Sequence, residues 1–382
     1  MKCKQFLCTF ENYLIRMDQT HSIVRQFVLP EVPVSVTALG EGFINDTYLV
    51  ETKGELKYVL QRKNGYIFKN IPGMVNNICK VTEHIRKKAS AQGMDPERST
   101  IRLYPTLNGK YYYLDSEQSH WVCMYYIPNT ICYDTASSPQ LARSGGAGIG
   151  LFQEQVADFT DDLAEVLPGF HDIRYRFGQW EAALAEDRAG KVKELSREID
   201  QIEQRREEML AFKQLIENQT IPLRVSHNDT KISNILFDQN GEVLCVIDLD
   251  TLMKSSVLYD YGDAIRSYAN SAAEDEPRAD NIALNLPFFE AYTQGYLSHA
   301  HRFVNQAEVD WLPFAAQYIT YEQTLRFLMD YMDGNRYYKI RYPEHNLVRA
   351  RAQNALLQSM EQAYPQMRAF VSKIFLSLHF PK

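Results

Sequence analysis

The chain has 382 residues, 45% of them hydrophobic and 23% charged, with a formal net charge of −7. That is enough apolar material for one large or two ordinary folded domains, and the acidic balance excludes a partner gripped mainly through a phosphate backbone. No run of eighteen apolar residues is present to span a membrane. Residues 6–10 are too short for a secretory apolar region, and the six cysteines are scattered without a C-x-x-C pair. The expectation is therefore a cytoplasmic protein with reduced thiols.

In chain order, "VPVSVTAL", "TYLVET" and "LKYVLQR" predict strands within 33–62, separated by the polar, Gly-containing turns 40–42 and 53–55. Apolar residues at 75, 78, 81 and 85 predict a helix over 74–93, ended by Gly93. "TIRLYPT", "KYYYLD" and "HWVCMYYIP" predict three further strands, closing at Pro128. "SGGAGIGLF" (144–152) lacks the G-K-[ST] ending of a phosphate loop and reads as a flexible linker into a helix. From 150 the pattern is helical, first over 150–167 and then over the charged stretch 181–218, whose charges suit a solvated face. Strand signals return at 235–237 and 243–248, and 283–380 reads as helices broken near 298–313 and 333–345. The organisation expected is an α+β fold with a small β-rich lobe over 20–128 and a larger, mainly helical lobe over 129–382.

"RVSHNDTKISNILFD" (224–238) crowds His227, Asn228, Asp229, Lys231 and Asn234 against an apolar run. Further on, "VLCVIDLDT" (243–251) adds Asp248 and Asp250. A hairpin over 235–248, turned at 238–241, would return Asp248 towards Asn234. Amide and carboxylate oxygens without His or Cys at ligand spacing suit a hard ion, Mg2+, completed by phosphate oxygens and water. Phosphoryl transfer uses such a set, with a carboxylate to orient the acceptor hydroxyl, an Asn and an Asp on the metal, and a cation on the phosphates. Taken singly, Asp248 could cap a strand and Asn234 could close an Asx-turn. His227 reads as structural.

H-N-D-x-x-x-x-N followed by I-D resembles the aminoglycoside phosphotransferase and choline kinase group, relatives of the protein kinases. "GEGFINDTYLV", "YVLQR", "HNDTK", "VIDLDT", "YDYGDAIR", "AAEDE", "FEAYTQGYL", "RFLMDYMDGNRYYK" and "HNLVRARAQ", spread over residues 40–353, are most similar to N-acetylhexosamine 1-kinases. The resemblance implies a two-lobed, protein-kinase-like fold and an ATP- and Mg2+-dependent transfer to the anomeric hydroxyl of an N-acetylhexosamine. A small-molecule kinase for an aminoglycoside, an amino alcohol or another sugar is the alternative, and a ligand-binding pseudokinase a more distant one. The partners implied are ATP and a small sugar, with no nucleic acid and no membrane. A monomer would suffice, the oligomeric state being left open.

On this resemblance Asp229 matches the catalytic base. Asn234 and Asp248 match the metal ligands, with Asp250 a supporting or second-metal carboxylate. Gly40 and Gly42 lie where a glycine-rich loop would cover ATP. Arg62 stands in the place of the phosphate-binding lysine, a swap its two-pronged donor geometry permits, with Glu83 on the following helix as its expected partner. Tyr125, Tyr126 and Ile127 fit the adenine-binding hinge. For the sugar, Arg326 and Tyr337 are implied beside Asp229, and Asn45 and Asp46 less directly. Phe43 stands where the family pattern has His, which removes a polar partner for a sugar hydroxyl and leaves the preferred epimer open.

Overall fold

The computed structural model describes residues 20–40 and 44–379. The expectations placed on Gly42 and Phe43 lie outside these residues.

One compact unit gathers the described residues up to 130 with 159–167 and 247–252. It is built on an antiparallel sheet in the order β1-β2-β3-β5-β4. Its strands are β1 (Pro33–Ala38), β2 (Asp46–Thr52), β3 (Lys57–Lys63), β4 (Tyr113–Leu114) and β5 (His120–Tyr125). Side chains alternate across a strand, so Tyr58 and Leu60 face one way. They join Val36, Val50, Trp121 and Cys123 in a core closed by Ile23, Val24, Phe27 and Tyr104. Helix α1 (Ile71–Ala91) starts where Asn70 caps Gly73 N at 3.0 Å, and it buries Met74, Val75, Ile78, Val81 and Ile85. The run 100–106, expected as a strand, makes isolated bridges at Leu103 and Thr106 instead.

The other unit comprises 131–158, 168–246 and 253–379 of the described residues. Its helices are α2 (Pro139–Gln155), α3 (Ile173–Glu186), α4 (Ser196–Glu203) and α5 (Arg206–Glu217), then α6 (Val257–Tyr268), α7 (Leu286–Ala300), α8 (Gln306–Met332) and α9 (His345–His379). Two small antiparallel pairs complete it. Strand β6 (Arg224–Ser226) pairs with β9 (Met253–Ser255), and β7 (Ile235–Phe237) with β8 (Val243–Val246). Neither β6 nor β9 was expected, because three residues carry too little periodicity to read.

The glycine-rich stretch 144–152 is not a linker but the body of α2. A Cβ on Gly146 would stand 2.2 Å from Tyr292 O, one on Gly150 2.5 Å from Tyr296 O, and one on Gly295 1.9 Å from Arg143 O. Bare backbone on both helices is what lets α2 and α7 approach so closely. Helix α2 then stops at Gln155, so 156–167 is not helical. The stretch 181–218 is divided among α3, α4 and α5. The break expected near 298–313 shrinks to 301–305, with Pro313 inside α8. Burial of Val309, Leu312 and Phe314 around it outweighs the hydrogen bond that proline cannot donate.

Candidate active site

The loop 227–234 leaves β6 and is suspended from α6. Asp260, wholly buried on α6, accepts from His227 N at 2.9 Å, Asn228 N at 2.6 Å and Gln153 Nε2 at 2.7 Å. Thr230 donates its hydroxyl to Asp260 O at 2.6 Å and its N–H to Asp263 Oδ2 at 3.1 Å. Burial pushes the Asp260 carboxyl up, against the pull of His227 and the two N–H groups. Burial acts the same way on Asp263, but Arg266 at 2.9 Å and His171 together hold that carboxyl below its ordinary value. Asn228 sits at φ 65°, a left-handed conformation that a residue other than glycine adopts only when its surroundings fix it.

This suspension presents Asp229. Its N–H donates to His227 Nδ1 at 3.2 Å, which gives the buried His227 the structural part expected of it. The Asp229 carboxylate receives Lys231 Nζ at 3.0 Å and Asn234 Nδ2 at 3.3 Å, and Asn234 also donates to Asp229 O at 2.8 Å. The Asn234 amide is thereby oriented by the residue it accompanies. Asn234 directly precedes Ile235, which pairs with Val246, two residues before Asp248. Asp248 is exposed at φ 59°, a second non-glycine residue in the left-handed region, and opens the turn Leu249–Thr251.

In the sheet-bearing unit the buried cation is Lys63, not Arg62. Strand β3 puts Arg62 directly opposite Asp46 and Trp121. Its Nε reaches Asp46 Oδ2 at 2.8 Å, and its guanidinium lies 5.9 Å from the Trp121 ring centre. Lys63 points the other way and is 4% exposed. Its Nζ lies 2.6 Å from Asp250 Oδ1 and 2.7 Å from Gln61 Oε1. Asn45 Nδ2 takes the other Asp250 oxygen at 2.7 Å. Glu83 is exposed and pairs with Lys87 at 3.4 Å, so the expected Arg62–Glu83 pair is not formed. The period-2 alternation of "YVLQRK" carried the signal, since Arg62 shares the face of Tyr58 and Leu60.

Sequence reasoning also passed over Asn77. Wholly buried on α1, it donates to Ala164 O at 2.8 Å and Leu252 O at 2.9 Å and accepts from Ala164 N at 2.8 Å, which fixes the turn carrying Asp250. Gly40 has φ +69°, a conformation suited to glycine. Tyr125 N and Tyr126 N are bonded to Arg102 O at 2.9 Å and Lys57 O at 3.1 Å. Ile127 is buried.

Arg326, half-buried on α8, does not pair with Asp330. Asp330 instead accepts from Tyr337 N, Tyr338 N and Asn346 Nδ2 at 2.8–2.9 Å, which shapes the loop after α8. The Arg326 guanidinium is surrounded by the rings of Phe170, Tyr337 and Tyr338 at 5.7, 5.8 and 5.6 Å, and donates to Gln323 Oε1 at 3.3 Å. It lines a cavity of about 350 Å³ together with Arg176, Gln179, Arg188, Tyr337 and Tyr338. The acids of "AAEDE" are engaged elsewhere: Glu274 with Arg266, Asp275 with His345, and Glu276 with Arg278.

Among the described residues no three His, Cys, Asp or Glu side chains gather to hold a metal by themselves, and both Asp250 oxygens are bonded. Asp248 is exposed in the one unit and the Asn234 amide is oriented in the other, and carboxylate and amide oxygens are each donor types that a hard ion accepts.

Residues 35–301 match the phosphotransferase enzyme family. Among solved structures, a microcompartment-associated aminopropanol kinase is 17% identical, with a TM-score of 0.56 over 92% of this chain and 98% of that one. Amicoumacin kinase, in complex with AMP-PNP, Ca2+ and Ami, is 15% identical, with a TM-score of 0.55 over 89% of this chain and 92% of that one. Choline kinase from Cryptosporidium parvum Iowa II is 13% identical, with a TM-score of 0.55 over 94% and 99%. These likenesses give the protein-kinase-like fold of the aminoglycoside phosphotransferases.

Proposed function

The chain belongs to the phosphotransferase enzyme family, and from that premise we propose that it transfers the γ-phosphoryl group of ATP to the anomeric hydroxyl of an N-acetylhexosamine. The observation that carries the substrate is Arg326. A guanidinium packed among three aromatic rings at a cavity wall, and not consumed by the carboxylate four residues on, keeps donors to offer a neutral acceptor such as an acetamide oxygen. Tyr337 on the same wall supplies a ring for the sugar face.

Asp229 orients the acceptor hydroxyl and takes its proton, and a hemiacetal hydroxyl is acidic enough that orientation is the larger part of the task. Asn234 and Asp248 would each offer an oxygen to Mg2+, which would supply charge neutralisation on the phosphates. Lys63 takes the phosphate-facing part first given to Arg62, with Asp250 and Asn45 holding it ready. The AMP-PNP and Ca2+ of the amicoumacin kinase complex support a nucleotide with a divalent metal. An amino-alcohol or aminoglycoside acceptor is the second reading, and the fold neighbours favour it. Against a polycationic acceptor, Glu274, Asp275 and Glu276 are already paired. Localisation in the cytoplasm accords with the cysteine pattern.

A panel of N-acetylglucosamine, N-acetylgalactosamine, glucose, galactose, choline, aminopropanol and an aminoglycoside, each with ATP and Mg2+, decides between the two. Phosphorus NMR locates the new phosphate. A C1 phosphate on an N-acetylhexosamine is the expected result, with Asp229→Asn lowering its formation by about two to four orders of magnitude. Turnover confined to an amine-bearing acceptor would overturn the reading.

A further inference from the structure

We propose that His171 is a positioning residue, a buried imidazole that holds the catalytic loop by the Asn228 carbonyl and ties that loop to the wall of the Arg326 cavity. The proposal rests on the reading that Asp229 carries the transfer. His171 is 4% exposed and stands at φ 56°, in the left-handed region, just ahead of α3. Its Nδ1 lies 2.7 Å from Glu322 Oε2 and its Nε2 lies 3.3 Å from Asn228 O, the carbonyl that precedes Asp229. A carbonyl only accepts, so His171 is the donor in the bond to Asn228 O.

Glu322 is ionised. Burial works against its charge, but His171, Arg176 at 3.1 Å and Arg326 outweigh that and hold its carboxyl far below the usual range. The groups facing His171 come from every side. Glu322 and Tyr318 stand on α8, the latter donating to His171 O at 2.9 Å. Tyr259 and Asp263 come from α6, with the Tyr259 ring at 5.3 Å. Arg176 comes from α3, and Phe170 packs at 4.2 Å. Phe170 is also one of the three rings around Arg326. One imidazole thus touches the loop that presents the base, the carboxylate that neighbours the cavity arginines and the ring that packs on one of them. Losing the imidazole would release Asn228 O and let Asp229 drift, and a displacement of about an ångström in a reacting group costs on the order of a hundredfold in rate.

Two measurements on the full chain test this. In enzyme labelled with ¹⁵N-histidine, the His171 ring, assigned by its loss in His171→Gln, is expected to show Nε2 carrying the hydrogen that is bonded to Asn228 O. Steady-state kinetics on the acceptor that the panel selects are expected to give His171→Gln a kcat lowered roughly ten- to a hundredfold, with the KM for ATP within about twofold of wild type. Glu322→Gln, which alters the partner that orients the ring, should lower kcat in the same direction by less. An Nε2 without hydrogen in the wild type would overturn the proposal. So would a kcat per folded molecule that both variants leave unchanged while their melting temperatures fall. If His171→Gln does not fold, the kcat of Glu322→Gln decides alone. Absence of any sugar turnover would sink the substrate reading but leave the bond from Nε2 to be read from the ring.

Discussion

Lys63 is buried and Arg326 half-buried, and the groups set closest to the two differ. Lys63 is set against a carboxylate at 2.6 Å, with both partners buried. Arg326 is set against ring faces at 5.6–5.8 Å. A compact ammonium loses much hydration on burial and needs a full counter-charge, whereas a planar guanidinium is weakly hydrated and stacks well. The first arrangement fixes a charge in place, and the second keeps directional donors. This difference is the ground for assigning the phosphate and the acetamide of the proposed reaction to different cations.

The comparison breaks most visibly at β3. Lys63→Met leaves Asp250 buried and unpaired, which should cost about 3–5 kcal/mol of stability and lower turnover roughly a hundred- to a thousandfold, the effect of removing a charge-stabilising donor. Arg62→Met breaks an exposed cross-strand pair worth about 0.2–1 kcal/mol and should leave turnover near wild type. Thermal melts and initial rates on the two variants are enough, and the reverse pattern would return the phosphate to Arg62.

Arg326→Ala is next in size. Loss of a charged donor to a neutral acceptor should cost about 1.5–3 kcal/mol, read as a ten- to hundredfold rise in KM for the N-acetylated sugar with the KM for ATP little changed. Arg326→Lys should recover little, because the planar fork is gone. An unaltered sugar KM in both variants would leave Arg326 a structural residue. Gly295→Ala tests the packing behind the site. With Arg143 O only 1.9 Å from the new Cβ, the helices must part, at about 1–3 kcal/mol. A denaturant midpoint equal to that of the wild type would show that α7 can shift freely.

The smallest effect is on acid stability. Asp263 and Glu322 have folded-state pKa values below their ordinary ones, so their contribution is present above the unfolded pKa and lost as pH falls through the folded value. Asp260, raised by burial, works in the opposite direction. Denaturant midpoints between pH 7 and pH 3 should fall, and less steeply in Glu322→Gln. An equal slope would exclude Glu322 as a source.

What could be read from the residues alone was what is local. Spacing alone puts Asp229 and Asn234 on one loop and Asp248 just past one hairpin, and unbroken periodicity marks β1, β2, β3 and α1. The Lys63–Asp250 pair joins residues 187 positions apart, and no local pattern announces it, although alternation along β3 already excluded Arg62 from that face. The α2–α7 seam was misread because glycine signals both looseness and close approach, and only the opposing helix distinguishes them. Asp330, four residues from Arg326 and so in reach of an i,i+4 pair, is taken instead by two N–H groups and an amide that the loop after α8 brings to it.

Asn77 has one more consequence, and it concerns the order in which the molecule can be made. Its amide holds Ala164 and Leu252, 87 and 175 residues downstream. A chain leaving the ribosome would complete the sheet long before those partners emerge, and until then a fully buried amide has no protein group to bond. The N-terminal third is therefore committed early but locked late, through contacts of high sequence separation that form slowly. A fragment ending at residue 130 would keep every strand of the sheet and lack its latch.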